Sequence, residues 1–164
     1  MNPNSTTKEI AKSGVFKIVE MLKVGENDVD ALIDVSMVLS KKYGDKSILT
    51  KSTIEKYFNR SGSISFIAIY QHEIIGYIIG IPIEKLSREP WARKDVNFGK
   101  SNTLYTYAFV IKERFFGNGY ARILKKVFFK QCCKEREFKF YNRARYFGQD
   151  CKIQRKYFTY RKRS

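Results

Sequence analysis

The segment from Phe109 to Leu124, FVIKERFFGNGYARIL, constrains the fold of this chain more than any other. A β-branched and aromatic run gives way to a short polar break, and glycines then open an amphipathic helix. Downstream, Tyr120, Leu124, Val127, Phe128 and Cys132 recur at helical spacing, while Lys125, Lys126, Lys130 and Lys134 fall mostly elsewhere. This spacing predicts a helix beginning at Gly119 or Tyr120. The first turn of a helix leaves backbone N–H groups without intrahelical acceptors and carries the positive end of the macrodipole. Gly117 and Gly119 can take left-handed dihedrals and admit an anion where a Cβ would intrude, so strand, glycines and helix together form a natural phosphate cradle. The same residues also suit a plain strand–turn–helix in which glycine only makes the turn.

Two other glycine motifs are excluded by their neighbours. A nucleotide P-loop requires Lys followed by Ser or Thr after its last glycine, whereas Tyr120 and Ala121 follow here. The dinucleotide fingerprint requires three glycines after the first strand of an alternating unit and an acidic residue about 20 positions on. This segment lies well past the middle of the chain.

At 164 residues the chain has the size of a single domain, 1–164, with enough apolar residues for one core. A hydrophobic fraction of 43% and an aromatic fraction of 15% exclude a disordered chain. Its 32 Lys and Arg against 16 Asp and Glu leave a formal charge of +16, which fits an anionic partner such as nucleic acid, an acidic surface or a phosphorylated ligand. A composition jointly rich in Lys, Ile, Asn, Tyr and Phe is also what an AT-rich coding sequence produces, so charge alone selects no partner. Three cysteines, two of them adjacent at Cys132 and Cys133, make neither a disulfide framework nor metal-ligand spacing, which points to a reducing cytoplasm and to no metal. Residues 1–12 are polar and read as a flexible N-terminus without a secretory leader. The apolar stretch from Ile64 to Ile83 is broken by Gln71, His72 and Glu73, so it reads as a hairpin and not as a membrane span.

The order of elements follows from local patterns. Val15 to Leu22 alternates and reads as a first strand; Asn27 or Asp28 then caps a helix whose apolar face runs from Val29 to Leu39 and stops at Tyr43 and Gly44. A second helix opens at Thr50 or Ser52 and carries Ile54, Tyr57 and Phe58. The hairpin pairs Ser63–Tyr70 with Ile74–Ile83, with Gly76 and Gly80 marking either a bulge, a close backbone approach or simple packing. Leu86 to Ser101 is a long aromatic loop that reads as a substrate lid or as a segment pinned to the core by Trp91. Asn102 to Ile111 is a central strand, with Leu104, Thr106, Ala108 and Val110 on one face and Tyr105, Tyr107, Phe109 and Ile111 on the other.

With these elements before it, the glycine segment resembles the acetyl-CoA-binding core of the GNAT superfamily of N-acyltransferases, whose signature is Arg/Gln-x-x-Gly-x-Gly/Ala. Two registers match: Arg114-Phe115-Phe116-Gly117-Asn118-Gly119, or the preferred Phe116-Gly117-Asn118-Gly119-Tyr120-Ala121. The second keeps the usual separation between strand end and helix but places Phe116 where Arg or Gln is usual, leaving charge to Arg114 or Arg122. The resemblance implies an α/β fold of mixed α+β type, with a GNAT-like central, mostly antiparallel sheet flanked by helices and an abbreviated C-terminal part. It implies acetyl-CoA as co-substrate, with no metal, and an amine as acceptor. Phe109, Val110 and Ile111 would line the pantetheine arm, and the stretch from Phe116 through Gly117, Asn118, Gly119, Tyr120 and Ala121 to Arg122 would hold the pyrophosphate.

In such a site a neutral amine attacks the thioester carbonyl and thiolate leaves with a proton, so a base must take the ammonium proton first. Glu113, just past the central strand, and Glu73, at the hairpin turn, are the candidates and read equally as ordinary exposed carboxylates, while Tyr105 and Tyr107 either position the amine or pack as aromatic core. By resemblance the general acid is Tyr146, within Asn142 to Gly148. His72 sits in a turn and is set aside as a base.

The chain departs from the family after Lys134, where residues 135–164 form an atypical basic segment. Phe138 to Tyr141 and Cys151 to Tyr160 read as strands. Either the C-terminal part is abbreviated, a homodimer completes the sheet, or the segment is altered. Arg and Lys interleaved with Tyr146, Phe147, Tyr157, Phe158 and Tyr160 also suit single-stranded nucleic acid, which keeps a nucleic-acid-binding function and a CoA-binding domain without turnover as alternatives.

Overall fold

A computed structural model describes residues 1–135 and 140–143, with side-chain detail for residues 1–132 apart from residue 42. Their strands are β1 (Thr6–Ser13), β2 (Phe16–Lys23), β3 (Ile64–Tyr70), β4 (Glu73–Pro82), β5 (Thr103–Ile111) and β6 (Phe140–Arg143), lying side by side in that order. Neighbours from β1 to β5 are antiparallel, and β6 is parallel to β5. A parallel neighbour needs a crossover. Here α4 (Tyr120–Glu135) supplies it, while α1 (Glu26–Tyr43) and α2 (Lys51–Tyr57) lie between β2 and β3, and the short α3 (Pro90–Arg93) precedes β5.

The helices cover opposite faces of the sheet. Leu32 and Val35 of α1 and Ile54 of α2 share one core with Ile67, Tyr77, Ile79 and Ile81. Leu124, Phe128 and Cys132 of α4 share the other with Ile18, Phe66, Ile78 and Leu104. Side chains this size each contribute roughly 1.5–3 kcal/mol when fully buried. β3 and β4 are buried on both faces because their sequences are nearly continuous apolar runs. They are joined by a two-residue turn in which Gln71 and His72 both have positive φ, 45° and 72°. Gly76 and Gly80 mark close approach: a Cβ on Gly80 would stand 2.7 Å from both Leu104 Cδ2 and Phe128 Cζ, and one on Gly76 2.5 Å from the Val110 carbonyl oxygen.

Three expectations are corrected. The segment read as a flexible N-terminus holds strand β1, paired with β2 from Thr6↔Lys23 to Ser13↔Phe16. Its side chains are mostly exposed, because an edge strand is held by backbone bonds and has little to bury. Neither Asn27 nor Asp28 caps α1. The N-cap is Gly25, and the first amides are satisfied by the chain start: Glu26 and Asn27 donate to the Asn2 and Pro3 carbonyls at 2.9 and 3.1 Å. Gly25 donates to Ser5 Oγ at 2.8 Å, and Asn27 Oδ1 accepts from Ser5 N–H at 2.9 Å. Thr50 does cap α2, in a capping box with Thr53.

The third correction concerns β5. Gly80 faces Thr106 but Ile79 faces Ala108, so the register skips Tyr107 and β5 carries a bulge. The extra residue breaks the expected alternation. Tyr105, Tyr107, Ala108 and Val110 all belong to the α1–α2 side, whereas Leu104, Phe109 and Ile111 belong to the α4 side.

Candidate active site

β5 ends at Ile111, a 3-10 turn spans Glu113–Phe115, and Gly117 and Gly119 follow at φ 82° and 80°. Glycine adopts that conformation without strain, and a Cβ at either position would meet no protein atom within 4 Å. The first α4 bond runs from Ile123 N–H to the Gly119 carbonyl at 3.0 Å, so the amides of Tyr120, Ala121 and Arg122 precede the helical ladder. Tyr120 fixes the helix start, stacking on Phe16 at 4.6 Å between centroids and tilting against Tyr70 at 5.7 Å. Phe116 is extended and 60% exposed. Asn118 reaches the Phe116 carbonyl only at 3.5 Å.

On its free side β5 pairs with β6 from Thr103↔Phe140 to Thr106↔Arg143, and among the described residues that register goes no further. The stretch from Phe109 to Ile111 runs toward the glycine loop, past the last β6 rung among the described residues.

The two candidate bases are held in ion pairs. Glu73 accepts from Lys112 Nζ at 2.8 Å and from Arg114, and Lys112 also bridges to Asp34 of α1. The Lys112 bond, opposed by partial desolvation and aided by Arg114, holds the Glu73 carboxyl below its usual range. Burial disfavours the Lys112 charge, but its bonds to Asp34 and Glu73 outweigh it and raise that ammonium's pKa. Glu113 takes Lys41 of α1 at 2.6 Å, with both side chains about half or more exposed. These pairs clamp the end of β5 to α1 and to the β3–β4 turn. Tyr146 lies outside the described residues, as does the segment from residue 144 onward.

A pocket of about 170 Å³ opens on the other face of β5. It is lined by Leu39 and Tyr43 at the end of α1, by the turn from Lys46 to Leu49, by Thr53 and Tyr57 of α2, by Tyr77 of β4, and by Thr106 to Phe109. Tyr57 and Tyr107 stack at 4.1 Å and form one wall. The turn is pinned by Ser36 Oγ, which accepts from Leu49 N–H at 2.8 Å. Tyr77 is fully buried, and its hydroxyl has no hydrogen-bond partner among the described residues; burial pushes its pKa up, so it remains protonated. Of the two tyrosines expected to position an amine, Tyr107 lines this pocket. Tyr105 instead sits beneath Trp91, 4.7 Å between centroids. Trp91 pins the Leu86–Ser101 loop, and none of that loop lines the pocket. Sequence reasoning missed Tyr43, Tyr57 and Tyr77, which come from three separate elements.

Among the described residues no helix is long and apolar enough to cross a membrane, and no group of three or more His, Cys, Asp or Glu could hold a metal. No protein-family model and no curated protein matches the sequence. Solved structures do match. An acetyltransferase of the GNAT family from Desulfovibrio desulfuricans superposes with a TM-score of 0.58 at 11% identity, over 78% of this chain and 73% of that one. The ribosomal-protein-alanine N-acetyltransferase from Brucella melitensis gives 0.56 at 11% identity, over 82% of each chain. An aminoglycoside 6'-N-acetyltransferase complexed with coenzyme A gives 0.57 at 20% identity, over 77% of this chain and 60% of that one. The six-strand sheet, with α1 and α2 on one face and α4 on the other, is the fold that these acetyltransferases share, one of them of the GNAT family.

Proposed function

We propose that this chain is a single-domain N-acetyltransferase that binds acetyl-CoA along the end of β5 and the start of α4 and transfers its acetyl group to a primary amine in a ternary complex. One observation carries the reading: the glycine loop follows the end of β5 into α4, on one face of the sheet, and Thr106 to Phe109 of the same strand line the tyrosine-walled pocket on the other. A coenzyme A complex of a protein with this fold supports the choice of co-substrate.

The residues fit a diphosphate. Three amides ahead of the helical ladder, beside two left-handed glycines that open onto space, can each donate to one anionic group. Phe116 supplies no charge. Arg114 is engaged with Glu73, so Arg122, exposed in the first turn of α4 and without an ion pair among the described residues, is the cation for this role. Backbone groups from Phe109 to Ile111 would bond the pantetheine arm as an added strand.

Acetyl-CoA supplies an acetyl group activated as a thioester. The pocket must deliver a neutral amine, which forms a C–N bond to the acetyl carbon as the C–S bond breaks. The proton lost by nitrogen ends on the thiolate. Glu73, bound to two cations, is a weak proton acceptor. Glu113, with one exposed partner, is the better terminus for a water relay. Tyr146 stays the proposed acid.

Acetyl-CoA at about 100 times its Kd should raise Tm by about 5–10 °C, and Gly119→Val should cut the rise at that concentration to about a third or less while leaving the ligand-free Tm within a few degrees. Thiol release over a panel of amines then reads turnover. No thermal shift would overturn the proposal, a shift without thiol release would indicate a binding domain, and salt-sensitive RNA binding without a shift would favour the nucleic-acid reading.

A further inference from the structure

The pocket beside β5 has a chemical character that selects among amines. Among the described residues no Asp or Glu lines it, so none of them balances a second or third positive charge there. Lys46, exposed and without a salt bridge among the described residues, adds a positive charge at the rim of the pocket. The rings of Tyr43, Tyr57 and Tyr107 and the side chains of Leu39 and Leu49 make the walls apolar. Tyr77, another lining residue, carries a buried hydroxyl with no hydrogen-bond partner among the described residues. A buried polar group of this kind calls for a partner, and an occupant of the pocket can provide one.

We propose that the acceptor is a monoamine with an aromatic or branched apolar body and a carboxylate, the chemistry of a hydrophobic α-amino acid, and that Lys46 and the Tyr77 hydroxyl select it. The inference rests on the acetyltransferase reading above. The carboxylate pairs with Lys46, the body lies against the ring walls, and a polar atom of the acceptor bonds the Tyr77 hydroxyl. The ammonium of the zwitterion first gives one proton to the base, the neutral amine becomes the acetamide as its second proton leaves with the thiolate, and the charge of the acceptor thereby falls from neutral to anionic, which Lys46 also favours. Polyamines and polycationic amino sugars are rejected, because each further ammonium would be desolvated beside Lys46 with no counter-charge.

Calorimetry tests this on the whole protein, alone and saturated with CoA, using L-phenylalanine, phenethylamine, spermidine and kanamycin as probes. L-phenylalanine should bind about 3- to 10-fold more tightly than phenethylamine, and at least about 10-fold more tightly than either polycation. Lys46→Glu should erase the preference for the carboxylate while leaving CoA affinity unchanged. Tyr77→Phe should weaken L-phenylalanine several-fold without lowering Tm, a split that a purely structural hydroxyl would not give. Tighter binding of spermidine or kanamycin, equal binding of all four, or no binding of any would overturn the inference. The CoA titration is read separately, so failure of CoA to bind marks failure of the acetyltransferase reading and not of the amine preference.

Discussion

The two faces of β5 are built by different means. On the α4 face the candidate site is backbone: two glycines at positive φ and three amides ahead of a helical ladder, contiguous in sequence between Gly117 and Arg122. On the α1–α2 face it is side chain, with Tyr43, Tyr57, Tyr77 and Tyr107 brought together from α1, α2, β4 and a bulge in β5. A group that all acetyl-CoA-dependent enzymes share needs only a local device. An acceptor that differs between enzymes needs a surface assembled from several elements, each free to change. Two solved structures with this fold illustrate the point, one a ribosomal-protein-alanine acetyltransferase and the other an aminoglycoside acetyltransferase.

If the faces are separable in this way, substitutions should separate them. The largest effect is expected where the α4 face rests on the core: Phe128→Ala removes a fully buried ring packed edge-on against Phe66, 5.7 Å between centroids, and should cost about 3–5 kcal/mol. Chemical denaturation should show that loss. Next, Gly119→Val should weaken acetyl-CoA by about 30-fold or more in a binding titration, because a β-branched residue does not sit at φ 80°, while L-phenylalanine binding to the ligand-free protein stays unchanged. Equal loss on both faces would break the comparison.

Lys112→Met tests the clamp between the faces. It leaves Asp34 and Glu73 without their shared cation and should cost about 1–3 kcal/mol near neutral pH. The Glu73 pKa lies below 4.5 in the folded chain, so its contribution is present above that value and is lost as pH falls through the lowered pKa. The Lys112 pKa lies above 10.5, so its contribution is present below that value and is lost as pH rises through the raised one. The difference between wild type and variant, followed by thermal melts, should therefore be greatest from about pH 5 to pH 10 and shrink on either side. The smallest effect is expected at Tyr77→Phe, which removes a buried hydroxyl without a partner among the described residues. It should leave Tm unchanged or raise it by a few degrees, with acetyl-CoA affinity unaltered.

The same contrast explains what could be read from sequence. The helix starts at Tyr120 and just after Thr50 and the hairpin through Gln71 and His72 are written in adjacent residues and stand where expected. Strand β1 was not legible, because Thr7, Lys8 and Glu9 bury nothing and reveal themselves only by pairing with β2. The cap of α1 escaped for a related reason: its acceptors are Asn2, Pro3 and Ser5, twenty or more positions upstream of the residues they serve. The bulge at Tyr107 is invisible to any two-residue periodicity, since it inserts one position and flips the faces beyond it. Once the parity changed, Tyr107 and Ala108 came to the same side and completed a pocket that no local motif announces. Glu73 and Glu113 were legible as carboxylates near the end of β5, but their pairing with Lys112, Arg114 and Lys41 depends on how α1 and the β3–β4 turn pack there.

The most direct test of β5 as the wall shared by both sites is a crystal structure of the CoA complex with L-phenylalanine. The pyrophosphate is predicted to lie within hydrogen-bond distance of the Tyr120, Ala121 and Arg122 amides, with the CoA thiol opening beside Thr106–Phe109 toward the ring of Tyr77. A pyrophosphate away from the glycine loop, or a thiol that opens on the side away from the tyrosine pocket, would contradict it.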